Sequence, residues 1–177
     1  MNWQKLYKEY WQEGSIVMRL LILHTFAYLF IGLTSLACTL ITPLRWWDLG
    51  LSLSFYPEWD KVLYHPWSLV TYALPHLNFF HFFGNMCLVY ALLPVMAYRL
   101  GTRRFLWTYI GGIIAGALTY LLGYQLLGAE IIPPLSLQGA SAAILSVCAA
   151  AVMVDRKILS SFTLRFTGNR IPPIALW

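Results

Sequence analysis

A single hydroxyl group stands at the start of an apolar run in the second half of the chain. Ser141 lies in the segment Gln138-Gly139-Ala140-Ser141-Ala142, among residues with almost no side chain, and this segment follows the proline pair 133–134. A serine at a helix N-terminus is most often a cap or a packing residue. It can instead be a nucleophile, provided that other groups stabilise the negative charge formed when it attacks a carbonyl. The serine alone leaves both interpretations open.

Two polar side chains in an earlier apolar run could supply that stabilisation. His81 and Asn85 are four residues apart, so they share one face of a helix. Phenylalanines surround them at positions 79, 80, 82 and 83. Polar groups at membrane depth are costly and usually face a protein interior or a water-filled cavity. The pair is therefore either an interhelical hydrogen-bonding pair or a set of donors aimed at a developing oxyanion.

The composition indicates an integral membrane protein. Of the 177 residues, 59% are hydrophobic and only 11% are charged, whereas a typical soluble domain carries about 25% charged residues. The 8 tryptophans and 11 tyrosines are types that favour bilayer interfaces. A soluble domain of this size would expose large apolar patches, which excludes that class. The lipid bilayer is thus a partner, and the net charge of +5 is not interpreted as affinity for nucleic acid.

The apolar runs predict the fold class. An all-α polytopic membrane protein is expected, with four transmembrane helices and the start of a fifth, because about 20 helical residues cross a hydrocarbon core of about 30 Å. Residues 1–19 form an amphipathic lead-in, and residues 20–177 form the membrane domain, which is expected to be incomplete at its C-terminus. The predicted spans are Leu20–Ile41, Phe79–Tyr98, Phe105–Leu127 and Gly139–Val154, and a fifth run begins at Ile171–Trp177.

Smaller features add detail to this bundle. Gly112 and Gly116 have the GxxxG spacing that lets two helices approach closely. The long connection Thr42–Pro75 is rich in tryptophan, and residues 46–51 are expected to form a short helix in the headgroup region. The three cysteines, at positions 38, 87 and 148, are interpreted as small core residues. No ligand set has metal spacing, so neither a metal nor an organic cofactor is expected.

The distribution of basic residues predicts the orientation. Ten of the 12 lysines and arginines lie in residues 1–19, 99–104 and 155–170, and the other two are Arg45 and Lys61. The positive-inside rule places the larger group, and with it the N-terminus, in the cytoplasm. A multi-pass protein of the plasma (inner) membrane is expected if the source is bacterial.

The length of the fourth run bears on the depth of Ser141. Gly139–Val154 has 16 residues, fewer than a full span needs. If the charged residues from Asp155 onward hold its end at the cytoplasmic face, Ser141 lies below the outer surface, at a helix N-terminus that favours negative charge. Ser141, His81 and Asn85 then converge at similar depth, which points to acyl transfer inside the membrane.

These residues resemble a known family. The pattern His76-x4-His81-x3-Asn85, followed by Gly139-Ala140-Ser141 at the start of a fourth span, is similar to the rhomboid family of intramembrane serine proteases. The resemblance extends from about residue 15 to the end. It also includes Pro66-Trp67, Thr71-Tyr72 and Arg99-Leu100-Gly101-Thr102.

The resemblance implies a six-helix core and a serine endopeptidase that hydrolyses peptide bonds in or near transmembrane segments of membrane proteins. Ser141 would be the catalytic nucleophile. The backbone N–H of Ser141 and the side chains of His81 and Asn85 would form the oxyanion hole, and His76 and Gly139 would support it.

The chain also departs from the family pattern. Ala142 replaces a common glycine, and Trp67 is followed by a serine where an arginine is usual. The family's catalytic histidine lies on the sixth helix, whereas the histidines here are His24, His65, His76 and His81. His24 is expected on the first span, near its cytoplasmic half.

The chain is therefore expected to be the N-terminal portion of a protease, inactive by itself. The alternative is a non-catalytic rhomboid-like protein that binds transmembrane segments as a chaperone or quality-control factor. The presence of Ser141, His81 and Asn85 argues against that alternative.

Overall fold

The computed structural model describes residues 15–41, 49–76 and 78–154, and these residues form a helical bundle. Within them no β-strand occurs, and one isolated antiparallel bridge joins Phe55 to Leu137. The predicted all-α class is confirmed. The helices are α1 (Ile16–Ile41), α2 (Leu49–Leu53), α3 (Trp59–Tyr64), α4 (Ser68–Thr71), α5 (Phe79–Leu100), α6 (Thr102–Leu127) and α7 (Ser141–Val154).

Three of the described helices, α1, α5 and α6, are long and apolar enough to cross a membrane. The fourth predicted span, α7, has only 14 residues and is a shorter apolar helix. The predicted spans agree with the helices except at their ends. For example, α1 begins at Ile16 instead of Leu20, because the charged Arg19 interrupts the apolar run without ending the helix.

A single glycine separates α5 from α6. Gly101 has a φ of +75° and its N–H donates to the carbonyl of Ala97, so it closes α5 and turns the chain at once into α6. The predicted second and third spans therefore lie side by side as an antiparallel pair. The lead-in before residue 15, the first half of the predicted headgroup helix and everything after residue 154 lie outside the described residues. The second half of the predicted headgroup helix is described, and α2 begins there, at Leu49.

The short helix α7 packs against both α5 and α6. Its inner face buries Ala143, Ile144, Val147 and Ala151, which recur at helical spacing. The close approach predicted from the GxxxG spacing is confirmed. A Cβ atom on Gly116 would lie 2.7 Å from that of Ala142, and one on Gly112 would fall on the Ser146 hydroxyl. No side chain larger than hydrogen fits at these two positions, so the backbone of α6 packs directly against side chains of α7.

The outward surface is apolar, as expected where helices face lipid. Phe26 on α1 is 67% exposed and Trp107 on α6 is 68% exposed. The interpretation of the cysteines as core residues is wrong for Cys87, which is exposed, while Cys38 and Cys148 are half-buried. Lipid-facing and core-facing residues of a membrane helix are equally apolar, so an apolar run alone does not distinguish them.

The described part of the connection between α1 and α5 is tied together by hydrogen bonds and paired with the segment before α7. The Trp67 indole N–H donates to the Ser52 carbonyl at 3.2 Å, and the Thr71 hydroxyl donates to the Leu53 carbonyl at 2.9 Å. Phe55 and Leu137 exchange two backbone hydrogen bonds. This pairing joins the first connection to the segment before α7, and so fixes the entry of the chain into that helix.

Candidate functional site

His81 and Asn85 are positioned by the first two turns of α5. Asn78 precedes the helix in an extended conformation, and its side-chain oxygen accepts a hydrogen bond from the His81 N–H at 2.9 Å, which is the bond of a helix N-cap. One turn later the Asn85 amide donates to the His81 carbonyl at 3.1 Å. Asn85 is buried and His81 is half-buried. The shared face predicted from their spacing is therefore present.

Gly139 brings the backbone before α7 against these two side chains. A Cβ atom at this position would lie 2.8 Å from Cε1 and 3.0 Å from Nε2 of His81, and 3.3 Å from Nδ2 of Asn85. Its φ of +98° is also a conformation that favours glycine. Its N–H donates to the carbonyl of Tyr72 at 2.8 Å, and the buried Tyr72 hydroxyl donates to the carbonyl of Ile113 on α6. The backbone at Gly139 is thus held from both sides.

Ser141 stands two residues beyond Gly139 as the first residue of α7, and it is exposed. Its hydroxyl makes no hydrogen bond with any residue that the structure describes, so the interpretation of Ser141 as a cap lacks the bond that defines a cap. The first N–H groups of a helix have no partner within the helix and carry partial positive charge. A nucleophile at this position lies next to donors suited to a negative oxygen.

The ring of His76 lies next to the ring of His81. The two ring centroids are 5.3 Å apart, and the His76 Nδ1–H donates to the Leu74 carbonyl at 3.0 Å. A carbonyl only accepts, so the proton of the neutral ring is on Nδ1, and the buried Nε2 has no partner among the described residues. Burial, with a smaller contribution from His81, lowers the pKa of His76 from 6.5 to about 4. His76 is therefore neutral at physiological pH.

The structure also brings two residues to this cluster that the sequence did not indicate. His24 on α1 is 2% exposed, its ring centroid lies 6.0 Å from that of His76, and its Nε2 shares a hydrogen bond of 2.8 Å with the Tyr109 hydroxyl on α6. The contact of His24 with His76 was not predicted from the sequence. Its neighbours are distant in sequence, so spacing gave no signal. A polar side chain inside an apolar run was the only sign available.

A cavity of about 550 Å³ adjoins the cluster. Its walls are mostly apolar residues of α1 and α2, and His76, Asn78 and Gln138 supply polar atoms at the site. The site therefore has free volume beside it on the α1 side. Among the described residues, no group of three or more His, Cys, Asp or Glu side chains could hold a metal ion.

These features define a class, a multi-pass helical membrane protein in which polar side chains from one span meet the N-terminus of a short helix. A model of the Rhomboid domain matches residues 64–175, a stretch that contains His76, His81, Asn85, Gly139 and Ser141. The chain belongs to the rhomboid family. Comparisons with curated proteins and with solved structures gave no match.

Proposed function

We propose that this rhomboid-family protein is an intramembrane serine endopeptidase with Ser141 as its nucleophile. The observation that carries the proposal is the position of Gly139, whose backbone lies against His81 and Asn85 two residues before Ser141. Two polar side chains thus lie against the backbone just before a helix N-terminus, whose free N–H groups are further donors suited to an oxyanion. A merely structural polar pair has no need of a serine beside it.

In the proposed reaction, the Ser141 oxygen attacks the carbonyl carbon of a peptide bond in a membrane-protein substrate. The carbonyl oxygen takes up negative charge, which the backbone N–H of Ser141 and the side chains of His81 and Asn85 stabilise. One amide hydrogen of Asn85 is engaged by the His81 carbonyl, and its second is left for the oxyanion. The C–N bond then breaks, the amine leaves with a proton, and water hydrolyses the acyl-enzyme.

The reaction needs a base that takes the hydroxyl proton. The described residues do not hydrogen-bond the Ser141 hydroxyl, and the chain's histidines are at positions 24, 65, 76 and 81. His76 and His81 have other roles in the proposal. We therefore assign the base to a group outside the described residues.

The proposed substrates are membrane proteins with a transmembrane segment, and the proposed orientation has the N-terminus in the cytoplasm. The apolar outward surface supports substrates that lie in the bilayer, because a transmembrane segment can pack against it without leaving lipid. The cavity beside His76 and Gln138 supports the same proposal, since a substrate backbone next to Ser141 needs room for its side chains.

The test uses cells that express the gene carrying this sequence together with a single-span reporter. The unaltered protein is expected to cleave the reporter and to be labelled by a fluorophosphonate, and Ser141→Ala is expected to lose both activities. Asn85→Ala should lower the cleavage rate by about 10²–10³-fold through the loss of one oxyanion donor. Thr34→Ala is the control for loss of a hydroxyl group, because the Thr34 hydroxyl bonds to the carbonyls of Phe30 and Ile31 within its own helix.

The binding-only alternative gives a different result in the same cells. Under that alternative, the unaltered protein and Ser141→Ala are expected to capture a reporter that carries a photo-crosslinker to the same extent. Neither protein is expected to cleave the reporter or to be labelled by the fluorophosphonate. Normal cleavage by Asn85→Ala would instead agree with a protease, but it would overturn the assignment of Asn85 to the oxyanion hole.

A further inference from the structure

One buried histidine in the first span has no part in the proposed chemistry. The lipid-facing side of α1 carries large apolar residues such as Phe26, which is 67% exposed, whereas His24 is 2% exposed. A polar side chain at this depth is costly unless it is paired. His24 is paired through Nε2, which shares a 2.8 Å hydrogen bond with the Tyr109 hydroxyl. The hydrogen bond fixes the ring of His24 relative to α6 as well as to α1.

Tyr109 is itself held in place. It is 4% exposed, and its ring stacks on that of Phe105 with centroids 6.1 Å apart. A leucine at position 24 could fill a similar volume, but it could not bond to the hydroxyl. The bond therefore adds a defined orientation to the packing.

The contacts of His24 lead toward the proposed oxyanion hole. Its ring meets the edge of the His76 ring at 6.0 Å, and His76 meets His81 at 5.3 Å. His76 makes one hydrogen bond within the described residues, through Nδ1, so the packing of its neighbours also contributes to the orientation of its ring. Tyr28 and Phe82 also contact the ring. Among these described ring neighbours, His24 is the one that hydrogen-bonds to α6, through Tyr109.

We propose that His24, held by Tyr109, is a positioning residue that sets the orientation of His81 through His76. The inference rests on the proposed function, because it gives His81 a reason to be held in one orientation. His24 acts at a distance, since among the described residues its ring contacts are with His76 and Tyr109 and not with His81. The column His24–His76–His81 connects α1 to the site.

The first measurement is reporter cleavage with separate determination of kcat and KM. His24→Leu and Tyr109→Phe are expected to lower kcat by about tenfold to about 10²-fold while KM stays unchanged, because a misplaced oxyanion donor affects the transition state more than substrate binding. Tyr109→Phe keeps the ring and its packing, so it isolates the hydrogen bond. His24→Gln, whose amide can bond to the Tyr109 hydroxyl, is expected to restore most of the loss. An unchanged kcat in both His24→Leu and Tyr109→Phe would overturn the proposal.

The second measurement does not depend on catalysis. The chain has 4 histidines, so the ring carbon resonances of isotope-labelled histidine in micelles can be assigned by single substitutions. His24→Leu and Tyr109→Phe are expected to shift the His81 resonance, and Phe26→Leu, on the lipid-facing side of the same helix, is expected to leave it in place. A His81 resonance that stays in place in His24→Leu contradicts the inference. If the unaltered protein cleaves no reporter, the proposed function fails, and this spectrum alone decides the role of His24.

Discussion

At the scale of single residues, Gly139 sets the distance between the entry of α7 and the two side chains of α5. Two independent constraints act there. The φ of +98° favours glycine, and an added methyl group would come within 3.0 Å of the His81 ring. The first constraint concerns the backbone alone, whereas the second concerns the site. A control glycine that has only the first constraint can separate them.

Gly139→Ala is expected to destabilise the protein and to abolish fluorophosphonate labelling of Ser141. The left-handed conformation costs an alanine about 1–2 kcal/mol, and displacement of His81 adds overpacking of about 1–3 kcal/mol. Gly101→Ala is the control, because Gly101 has a φ of +75° and nothing within 4 Å of its added Cβ. Thermal unfolding in micelles gives the stabilities. Equal stability losses and equal labelling in the two variants would contradict the close contact at Gly139.

The sequence predicted the residues of this cluster more reliably than their contacts. The spacing of His81 and Asn85 was sufficient to place them on one face, because a helix repeats locally. The positive φ of Gly139 and the contact of His24 with His76 depend on chain segments far apart in sequence, and periodicity carries no information about such contacts.

At the scale of helices, the contact between α6 and α7 leaves no room for a larger side chain at two positions of α6. Gly112 and Ser146 face each other, and the Ser146 hydroxyl donates to the Thr108 carbonyl at 3.1 Å across the interface. Tyr72 contacts the same face of α6 one turn further on, near Gly116. The position of α7, and hence of Ser141, therefore depends on two residues of α6 that have no side chain.

Gly112→Ala is expected to destabilise the bundle by about 1–3 kcal/mol, because the methyl group would fall on Ser146 and force the two helices apart. Gly111→Ala is the matched control on the same helix. Its added Cβ meets nothing within 4 Å, and alanine is the better helix former, so this variant should be neutral or more stable by up to about 1 kcal/mol. Unfolding of both proteins in the same micelles gives the comparison. A Gly112→Ala protein as stable as Gly111→Ala would contradict the packing described here.

Long helices and short helices differed in how well the sequence predicted them. The spans α5 and α6 were predicted to within a turn, because about 20 consecutive apolar residues are a strong signal. The short helices α3 and α4 were not predicted. They have 6 and 4 residues, too few to be stable alone, and they are held by tertiary bonds such as the one from Thr71 to the Leu53 carbonyl.

At the scale of the whole molecule, the proposed function depends on the side of the membrane to which Ser141 opens. The entry of α7 lies at the same end of the bundle as the start of α5, because Gly139 meets His81. The turn at Gly101 lies at the other end of α5. The arginines 99, 103 and 104 are therefore separated from Ser141 by most of the length of α5, and these basic residues mark the cytoplasmic side under the positive-inside rule.

This arrangement makes a prediction that cysteine labelling can check. In a protein whose cysteines 38, 87 and 148 are replaced by alanine, a cysteine at the exposed Glu130 is expected to react with a membrane-impermeant maleimide on intact cells. A cysteine at the exposed Arg103 is expected to react only after the cells are made permeable. Arg103 lies in the first turn of α6 and Glu130 lies beyond its last residue, so one crossing of the membrane separates the two sites. The reverse pattern would place Ser141 toward the cytoplasm and contradict the proposed orientation, and reaction of both sites on intact cells would mean that α6 does not span the membrane.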